Sequence, residues 1–477
     1  LKHFAYIPMA ADALKSPIPV EVLRSIGFLP LATGSMQVDV YCLNADNQEM
    51  QSLIETYHSA CRPRYIVVGL DELNRLFDRH GLLQKREIPL TPLETLADLV
   101  RGGLQRQASD IHLVARESCI AVLFRCDGHL LPFKDLDKQY GLQLINAVKV
   151  RALMDVAEGR QPQSGSFRHT SEGTGYEIRV STHPTLFGES TVLRLLTKSP
   201  YQQKLEDLGF SAPILKQLQS AGKSPAGLIV LTGPTGSGKT TTLYSLLHQM
   251  DLAEKNVMTL EQPIEYFMPS IRQTEIREGA GMSFASGIRS ILRQDPDVIL
   301  IGEIRDSETA AMALRAAMTG HLVLTTVHTR DAWGVISRLE ELGVPRHHIQ
   351  EFITIIVAQR LIRKLCQHCR QKIQTPETLV NLGQAMKVKL PGLTYQSTGC
   401  SACFNTGYQG RFAVGDVLTR QEILAVGAKE TPTQIREKRP FLKEGLEKVA
   451  EGQTDFAEVF QQLGIDPDKM KGGRPLC

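Results

Sequence analysis

The chain alternates apolar runs with amphipathic stretches, and the character of the alternation changes along its length. In residues 1–80, QVDVYCL (37–43) and RYIVVGL (64–70) have the pattern of strands. EMQSLIETYHSA (49–60) and DELNRLFDRH (71–80) place apolar residues at helical spacing. A small N-terminal α/β unit is predicted, followed by a polar, proline-containing linker over 81–92. Residues 91–197 predict an α+β domain. It opens with an amphipathic helix carrying Leu93, Leu96, Val100 and Leu104 along one side. DIHLVA and IAVLFRC follow as strands, and Asp127-Gly128 is a hairpin signal before HLLPF. A helix over 140–157 and the strands YEIRVS and STVLRLL complete the domain, and Ser199-Pro200 marks a hinge at 198–202.

From about residue 203 strands and helices alternate: GLIVLTG, a helix from Thr240, NVMTLE, a helix near 284–294, DVILIGE, a helix over 307–318, and HLVLTTVH. That order predicts a parallel sheet flanked by helices over 203–361. A cysteine-bearing insert is expected over 362–418. A helical region follows over 419–477, with FLKEGLEKVAEG and DFAEVFQQL as its clearest pieces.

Composition narrows the class. A length of 477 residues allows roughly three ordinary domains. With 42% apolar and 22% charged residues the chain is globular rather than disordered. A net charge of +3 is too small to argue for nucleic acid. No apolar stretch reaches membrane-spanning length, and LKHFAYIPMA is not a secretory signal. The first residue is Leu rather than Met, which points to a trimmed or partial chain. Cys366, Cys369, Cys400 and Cys403 form two CxxC pairs, a pattern that favours metal over disulfides and so a reducing compartment. Cys42, Cys61, Cys119, Cys126 and Cys477 lack such pairing and are expected to be inert. A soluble cytoplasmic chain is expected.

The sharpest chemical signal is GPTGSGKT at 233–240, which fits G-x-x-x-x-G-K-[ST] between an apolar strand and a helix. Gly233, Pro234, Thr235, Gly236, Ser237 and Gly238 would let backbone N–H groups converge on phosphate oxygens without Cβ clashes. Lys239 would place a charge near the terminal phosphates. The Thr240 hydroxyl would hold Mg²⁺, and Thr241 beside it would belong to the nucleotide-binding residues. The following helix aims its positive end at the same phosphates. ATP and Mg²⁺ are therefore the expected ligands.

Other candidates lie at strand ends. DVILIGE places Glu303 at the carboxyl rim of a parallel sheet, beside the phosphate loop. There it would bind Mg²⁺ through water or orient an attacking water; the alternative is an ordinary helix-capping glutamate. Glu261 and His328 close two further strands in the same way, although a lone histidine is more often structural. Arg289 and Arg293 share a helix face in GIRSILRQ. They would neutralise a transferring phosphoryl group, or else belong to a solvated face. The four paired cysteines suit a closed tetrahedral Zn²⁺ site whose metal would supply folding free energy to a small insert.

Taken together these stretches resemble the secretion ATPases that power type II secretion and type IV pilus assembly. The resemblance runs through GLIVLTGPTGSGKTTTLYSLL, TLEQPIEY, RSILRQDPDVILIGEIRDSETA and TGHLVLTTVHT. It also includes ASDIHL, RVSTHPTLFGESTVLRLL and GCSACFNTGYQGR, and covers about residues 91–465. It implies a RecA-like P-loop NTPase motor domain preceded by an α+β, PAS-like domain, a small N-terminal docking domain and a zinc-binding insert. It implies a homo-hexamer that hydrolyses ATP. The ring would be peripheral at the cytoplasmic face of the inner membrane, against platform and docking proteins. In that family Glu261 lies in the acidic box, Glu303 in the modified Walker B and His328 in the histidine box. Arg179 and Arg194 match arginines of the second domain that reach the nucleotide, and Arg289 with Arg293 match the pair in the motor domain. The acidic box here is Glu261-Gln262-Pro263 rather than Glu-Asp-Pro, Arg330 follows the histidine box where Asn is usual, and residues 1–80 match poorly.

Rival readings follow from the same residues. A retraction motor of the same superfamily typically lacks the tetracysteine insert and the extra N-terminal unit, both present here. A nucleic-acid translocase with the zinc knuckles as a grip conflicts with the near-neutral charge and the lack of a basic stripe. A non-hydrolysing scaffold conflicts with Lys239, Glu261 and Glu303.

Overall fold

The computed structural model describes residues 18, 20–32, 37–79, 90–171, 173–196, 203–250, 252–277, 279, 281–425 and 440–466. The chain divides into two compact units, residues 1–94 and 95–477. The hinge expected at 198–202, most of the linker expected at 81–92, and Cys477 lie outside the described residues.

The first unit contains α1 (Val20–Ile26), β1 (Phe28–Ala32), β2 (Gln37–Cys42), α2 (Gln48–Tyr57), β3 (Arg62–Val67) and α3 (Leu70–Arg79). Strand β2 runs antiparallel to β1 and parallel to β3. Alternate residues Val38, Val40 and Cys42 face a core of Phe28, Leu29, Met50, Ile54, Leu73 and Phe77. Asp39 is also buried, and Arg64 neutralises it across the β2–β3 pair at 2.6 Å. The Asn47 side chain accepts the Met50 N–H at 3.1 Å and so starts α2. Sequence periodicity did not anticipate α1 or β1: each is short, and Gly27 at φ +79° breaks the pattern between them.

The second unit opens with an α+β module. Its helices are α4 (Pro92–Gln105), which starts just before the boundary, and α5 (Lys138–Arg151). Its strands are β4 (Ala108–Ala115), β5 (Cys119–Cys126), β6 (His129–Asp137), β7 (Gln163–Ser171), β8 (Thr174–Thr185) and β9 (Gly188–Leu196). They form an antiparallel sheet in the order β6-β5-β4-β9-β8-β7. Leu96, Leu99, Val100, Leu144, Ile145 and Val148 pack on Ile111, Leu113, Val122 and Phe124, whereas Leu93 is 54% exposed. Each such aliphatic side chain contributes roughly 1.5–3 kcal/mol when fully buried. Asp127 and Gly128 adopt φ +48° and +89°, the two-residue turn that right-twisted strands need. Helix α5 stops at Arg151, earlier than expected, because Leu153 turns left-handed at φ +57°.

The larger module then begins with α6 (Ala212–Gly222), β10 (Gly227–Thr232), α7 (Lys239–His248), β11 (Val257–Glu261) and β12 (Arg272–Glu275). Next come α8 (Phe284–Ile291), β13 (Val298–Ile301), α9 (Ser307–Met318), β14 (Leu322–Val327), α10 (Ala332–Glu341) and α11 (Arg346–Phe352). Strand β15 (Ile353–Leu365) leads into β16 (Gln371–Gln374), α12 (Glu377–Ala385) and β17 (Leu393–Gln396), and β18 (Tyr408–Thr419) precedes α13 (Arg420–Ala425). The main sheet has the order β12-β11-β13-β14-β10-β15-β18 and is parallel except for β18. Strands β10, β13 and β14 are buried at every position, as a parallel sheet with helices on both faces requires. Ile299 and Ile301 face one helical layer, and Val298 and Leu300 face the other.

Strand β18 pairs with β15 from Ile355↔Thr419 to Leu365↔Tyr408. The cysteine-bearing excursion therefore leaves the sheet after Leu365 and returns at Tyr408. Helices Pro440–Ala450 and Phe456–Leu463 close over these strands. The Glu458 carboxylate, fully buried, holds the Arg363 guanidinium at 2.5 Å. Among the described residues no helix is long and apolar enough to cross a membrane.

Candidate nucleotide site and cysteine cluster

The phosphate-loop motif fills the turn between β10 and α7. Gly233, Gly236 and Gly238 take φ of +145°, +77° and +86°, in the region that favours glycine. A Cβ on Gly233 would come within 2.5 Å of the Gln359 carbonyl oxygen, and one on Gly238 within 2.9 Å of Gln359 Nε2. The loop can therefore follow this path only with glycines there. Lys239 is the first residue of α7 and is buried. Its Nζ donates to the carbonyl oxygens of Gly233 (2.9 Å) and Pro234 (3.1 Å), across the mouth of the loop. Burial lowers its pKa, and the nearby Glu303 carboxylate opposes the shift. Ser237 Oγ is buried with no protein partner, an orphan donor inside the loop. Pro234 and Thr235 are exposed at the tip, and Thr240 and Thr241 are half-buried in the first turn of α7. The left-handed glycines, the orphan hydroxyl, the helix N-terminus and the lysine together fit a bound polyphosphate.

Glu303 follows β13 and Gly302, and His328 follows the adjacent strand β14. Thr326 fixes their spacing. Its hydroxyl donates to the Gly302 carbonyl at 2.7 Å, and its own carbonyl accepts the Ile304 N–H at 3.0 Å. Glu303 Oε2 then lies 3.6 Å from His328 Nε2, and Glu303 Oε1 accepts from Arg305 at 2.5 Å. A second tie joins the phosphate loop to the same rim: the Thr329 N–H donates to Thr232 Oγ1 at 2.8 Å.

Glu261 ends β11 but is 4% exposed. Its carboxylate accepts hydrogen bonds from Tyr244 (2.5 Å), Thr259 (2.6 Å) and Gln273 (3.2 Å). Burial raises its pKa against the opposing effect of these donors. Arg179 and Arg194 stand directly opposite each other on β8 and β9. Arg179 reaches out of its own sheet and donates to the Ile264 carbonyl, three residues past Glu261, at 2.5 Å. Arg194 turns back to Asp110 at 3.0 Å, and that hydrogen bond raises its pKa. Helix α8 ends at Ile291, so Arg293 lies beyond the helix rather than on one face with Arg289. Arg289 pairs with Glu308 at the start of α9, and Arg293 donates back to the Arg289 carbonyl at 2.8 Å. Within this chain, then, Glu303, His328, Arg305, Thr232 and Thr329 converge on the phosphate-loop rim, and Arg289 and Arg293 occupy an exposed helix end.

Several site residues carry no motif. Gln359 of β15 contacts both ends of the loop, and its only signal was one amide inside the apolar run ITIIVAQRLI. Arg305, two residues past Glu303, had no pattern of its own. Tyr244 and Gln273 reach Glu261 from elements that flank it only in the folded chain.

Cys366, Cys369, Cys400 and Cys403 present four sulfurs all within 4.8 Å of one another. The contacts Cys366–Cys400, Cys369–Cys403 and Cys400–Cys403 measure 3.9, 3.8 and 3.7 Å. A tetrahedral Zn–S length of about 2.3 Å requires sulfur–sulfur edges of about 3.8 Å. Backbone N–H groups of Cys400 and Gly407 donate to Cys403 Sγ at 3.2 Å, and that of Gly399 to Cys369 Sγ at 3.3 Å. Such donors stabilise thiolates. The donor set and geometry fit zinc.

A family model described as type II/IV secretion system protein matches residues 87–461. The chain is 38% identical over 409 residues to the type IV pilus assembly ATPase PilB of Thermus thermophilus, covering 82% of this chain but only 46% of that protein. It is 40% identical to the putative type II secretion system protein E of Escherichia coli, with 76% and 75% of the two chains covered. It is 38% identical to the type II secretion system ATPase E of Vibrio cholerae, with 78% and 75% covered. Among solved structures the fold is like that of the Legionella pneumophila ATPase DotB, with a TM-score of 0.58 at 20% identity, covering 80% of this chain and 98% of that one. It is also like the pilus retraction motor PilT with bound ADP, with a TM-score of 0.52 at 24% identity, covering 78% and 98%. The family model spans well over half of the chain and several relatives are near 40% identical, and the chain belongs to the type II/IV secretion system protein family.

Proposed function

We propose that this chain is the subunit of a homo-hexameric motor that hydrolyses ATP. The motor would drive assembly of a type IV pilus or a type II secretion pseudopilus at the cytoplasmic face of the inner membrane. One observation carries the reading: the phosphate loop, Glu303 and His328 share one rim of a parallel sheet, and Arg179 of the preceding module reaches the same side at Ile264. Lys239 and the loop N–H groups hold the terminal phosphates, and Thr240 holds Mg²⁺. Glu303 orients water and takes its proton, and His328 faces the departing phosphate. Glu261, enclosed by Tyr244, Thr259 and Gln273, shapes the rim beside Glu303. Arg179 and Arg194 register nucleotide across the boundary between the 91–197 and 203–361 modules, so turnover changes the angle between them. Arg289 and Arg293, exposed on the motor module, neutralise charge on a transferring phosphoryl group, in this subunit or its neighbour. The cysteines hold structural zinc. Residues 1–80 dock the ring to its membrane partners.

Assembly is favoured over retraction by the four-cysteine cluster and the separately folded N-terminal unit. The test is Mg-ATP turnover by the purified oligomer, with Lys239→Ala as the inactive control. Absence of phosphate release, even with the docking partner supplied, sinks the reading. Loss of fibres or secreted substrate on removing the protein supports assembly, and their accumulation supports retraction.

A further inference from the structure

Gln359 lies in the middle of β15, 1% exposed, with the apolar Val357 and Leu361 as its neighbours on the same face of the strand. A primary amide is costly there unless both its ends are bonded. Both are. Nε2 donates to the Ser237 carbonyl at 2.8 Å, and Oε1 accepts the Thr242 hydroxyl at 2.9 Å. These two bonds also fix which end of the amide faces the loop, because the Ser237 carbonyl can only accept.

The consequence follows from peptide geometry. In a planar trans peptide the carbonyl and the next N–H point in opposite directions. Gln359 draws the Ser237 carbonyl toward itself, so the Gly238 N–H of the same peptide points away from Gln359. Gly238 can accept this orientation because it sits at φ +86° with no side chain to meet Gln359. We propose that Gln359 is a positioning residue for the nucleotide's phosphates, which sets the Ser237–Gly238 peptide and braces Thr242 behind it. This rests on the nucleotide-motor reading given above.

Two near-isosteric variants of the full chain test it, Gln359→Met and Gln359→Glu. The measurements are titration with a fluorescent ADP analogue and steady-state hydrolysis of Mg-ATP. Each lost hydrogen bond to the buried loop carbonyl is expected to weaken nucleotide binding about tenfold. Gln359→Met should raise KM for ATP more than it lowers kcat. Gln359→Glu should be equally weak at pH 8.5 and regain affinity as the pH falls to 6, because the protonated acid again offers a proton to the Ser237 carbonyl. Recovery within one folded protein separates positioning from misfolding. Wild-type affinity in both variants, or identical pH profiles for the two, overturns the assignment. A wild-type chain that binds no nucleotide overturns the motor reading and this inference with it.

Discussion

Glu303 Oε2 stands 3.6 Å from His328 Nε2, across the tips of the neighbouring parallel strands β13 and β14. Thr326 holds the Gly302–Ile304 segment from both sides, so the pair is built into the sheet rather than left to loop sampling. Glu303→Gln keeps the shape of the side chain and removes its basicity. It should lower phosphate release by about a hundredfold or more while leaving ADP binding within about twofold. His328→Ala should cost less, about tenfold, and also spare binding. A phosphate-release assay and an ADP titration measure the two quantities separately. Equal turnover in Glu303→Gln and the wild type would remove Glu303 from the chemistry.

Arg194 is held by the buried Asp110 carboxylate, directly across from Arg179, whose guanidinium already touches the Ile264 carbonyl. If Arg194 leaves Asp110 for nucleotide during turnover, Arg194→Ala should bind ADP normally and lose about a hundredfold in hydrolysis. Normal turnover in an Arg194→Ala ring would contradict coupling through this module.

Four sulfurs at tetrahedral spacing should hold one zinc per chain, released by a strong chelator or by denaturant plus a thiol reagent. Phe404, on the Cys400–Cys403 turn, stacks under the Arg106 guanidinium at 4.4 Å. The Asp127 carboxylate accepts the Gly410 N–H at 2.9 Å. Stripping the metal should therefore loosen the contact with the 95–197 module and raise proteolysis near residues 366–407. Metal content near zero in undamaged protein would remove zinc from the account.

Asp416 on β18 is buried, and its carboxyl is pushed up to about 6. Burial is the main cause; Asp331 and Glu422 add to it, while the Ala332 N–H and Arg360 oppose it. The sign is set by a raised acid: below the unfolded value near 3.8 both states are protonated and the group is neutral to stability. As pH rises past 6 the folded state carries an ionised, poorly solvated carboxylate that costs about 3 kcal/mol. Asp416→Asn keeps an acceptor for the Ala332 N–H without the charge. Its thermal midpoint should exceed that of the wild type at pH 7.5, with the gap closing toward pH 4. A gap that stays constant with pH would refute the linkage.

The phosphate loop was legible because its chemistry is local: eight consecutive residues supply the turn, the lysine and the helix start. The strand–helix alternation of the 203–361 module was legible for a related reason. Each buried strand of a parallel sheet is a short, continuous apolar run, and the strand tips placed Glu303 and His328 at one rim. The paired cysteines announced their cluster through spacing alone. Other features depended on chain segments far apart in sequence. Tyr408–Thr419, rich in glycine and placed by sequence in the cysteine insert, became a sheet strand only by pairing with β15. The hold of Tyr244 and Gln273 on Glu261, the reach of Arg179 to Ile264 and the hold of Gln359 on Ser237 span 12 to 122 residues along the chain. No local pattern encodes a contact over that distance, because periodicity reports which face of an element is buried and not what it is buried against. Sequence alone determined which groups could bind phosphate and metal, and the return of β15 beneath the loop decided how the phosphate-binding backbone is aimed.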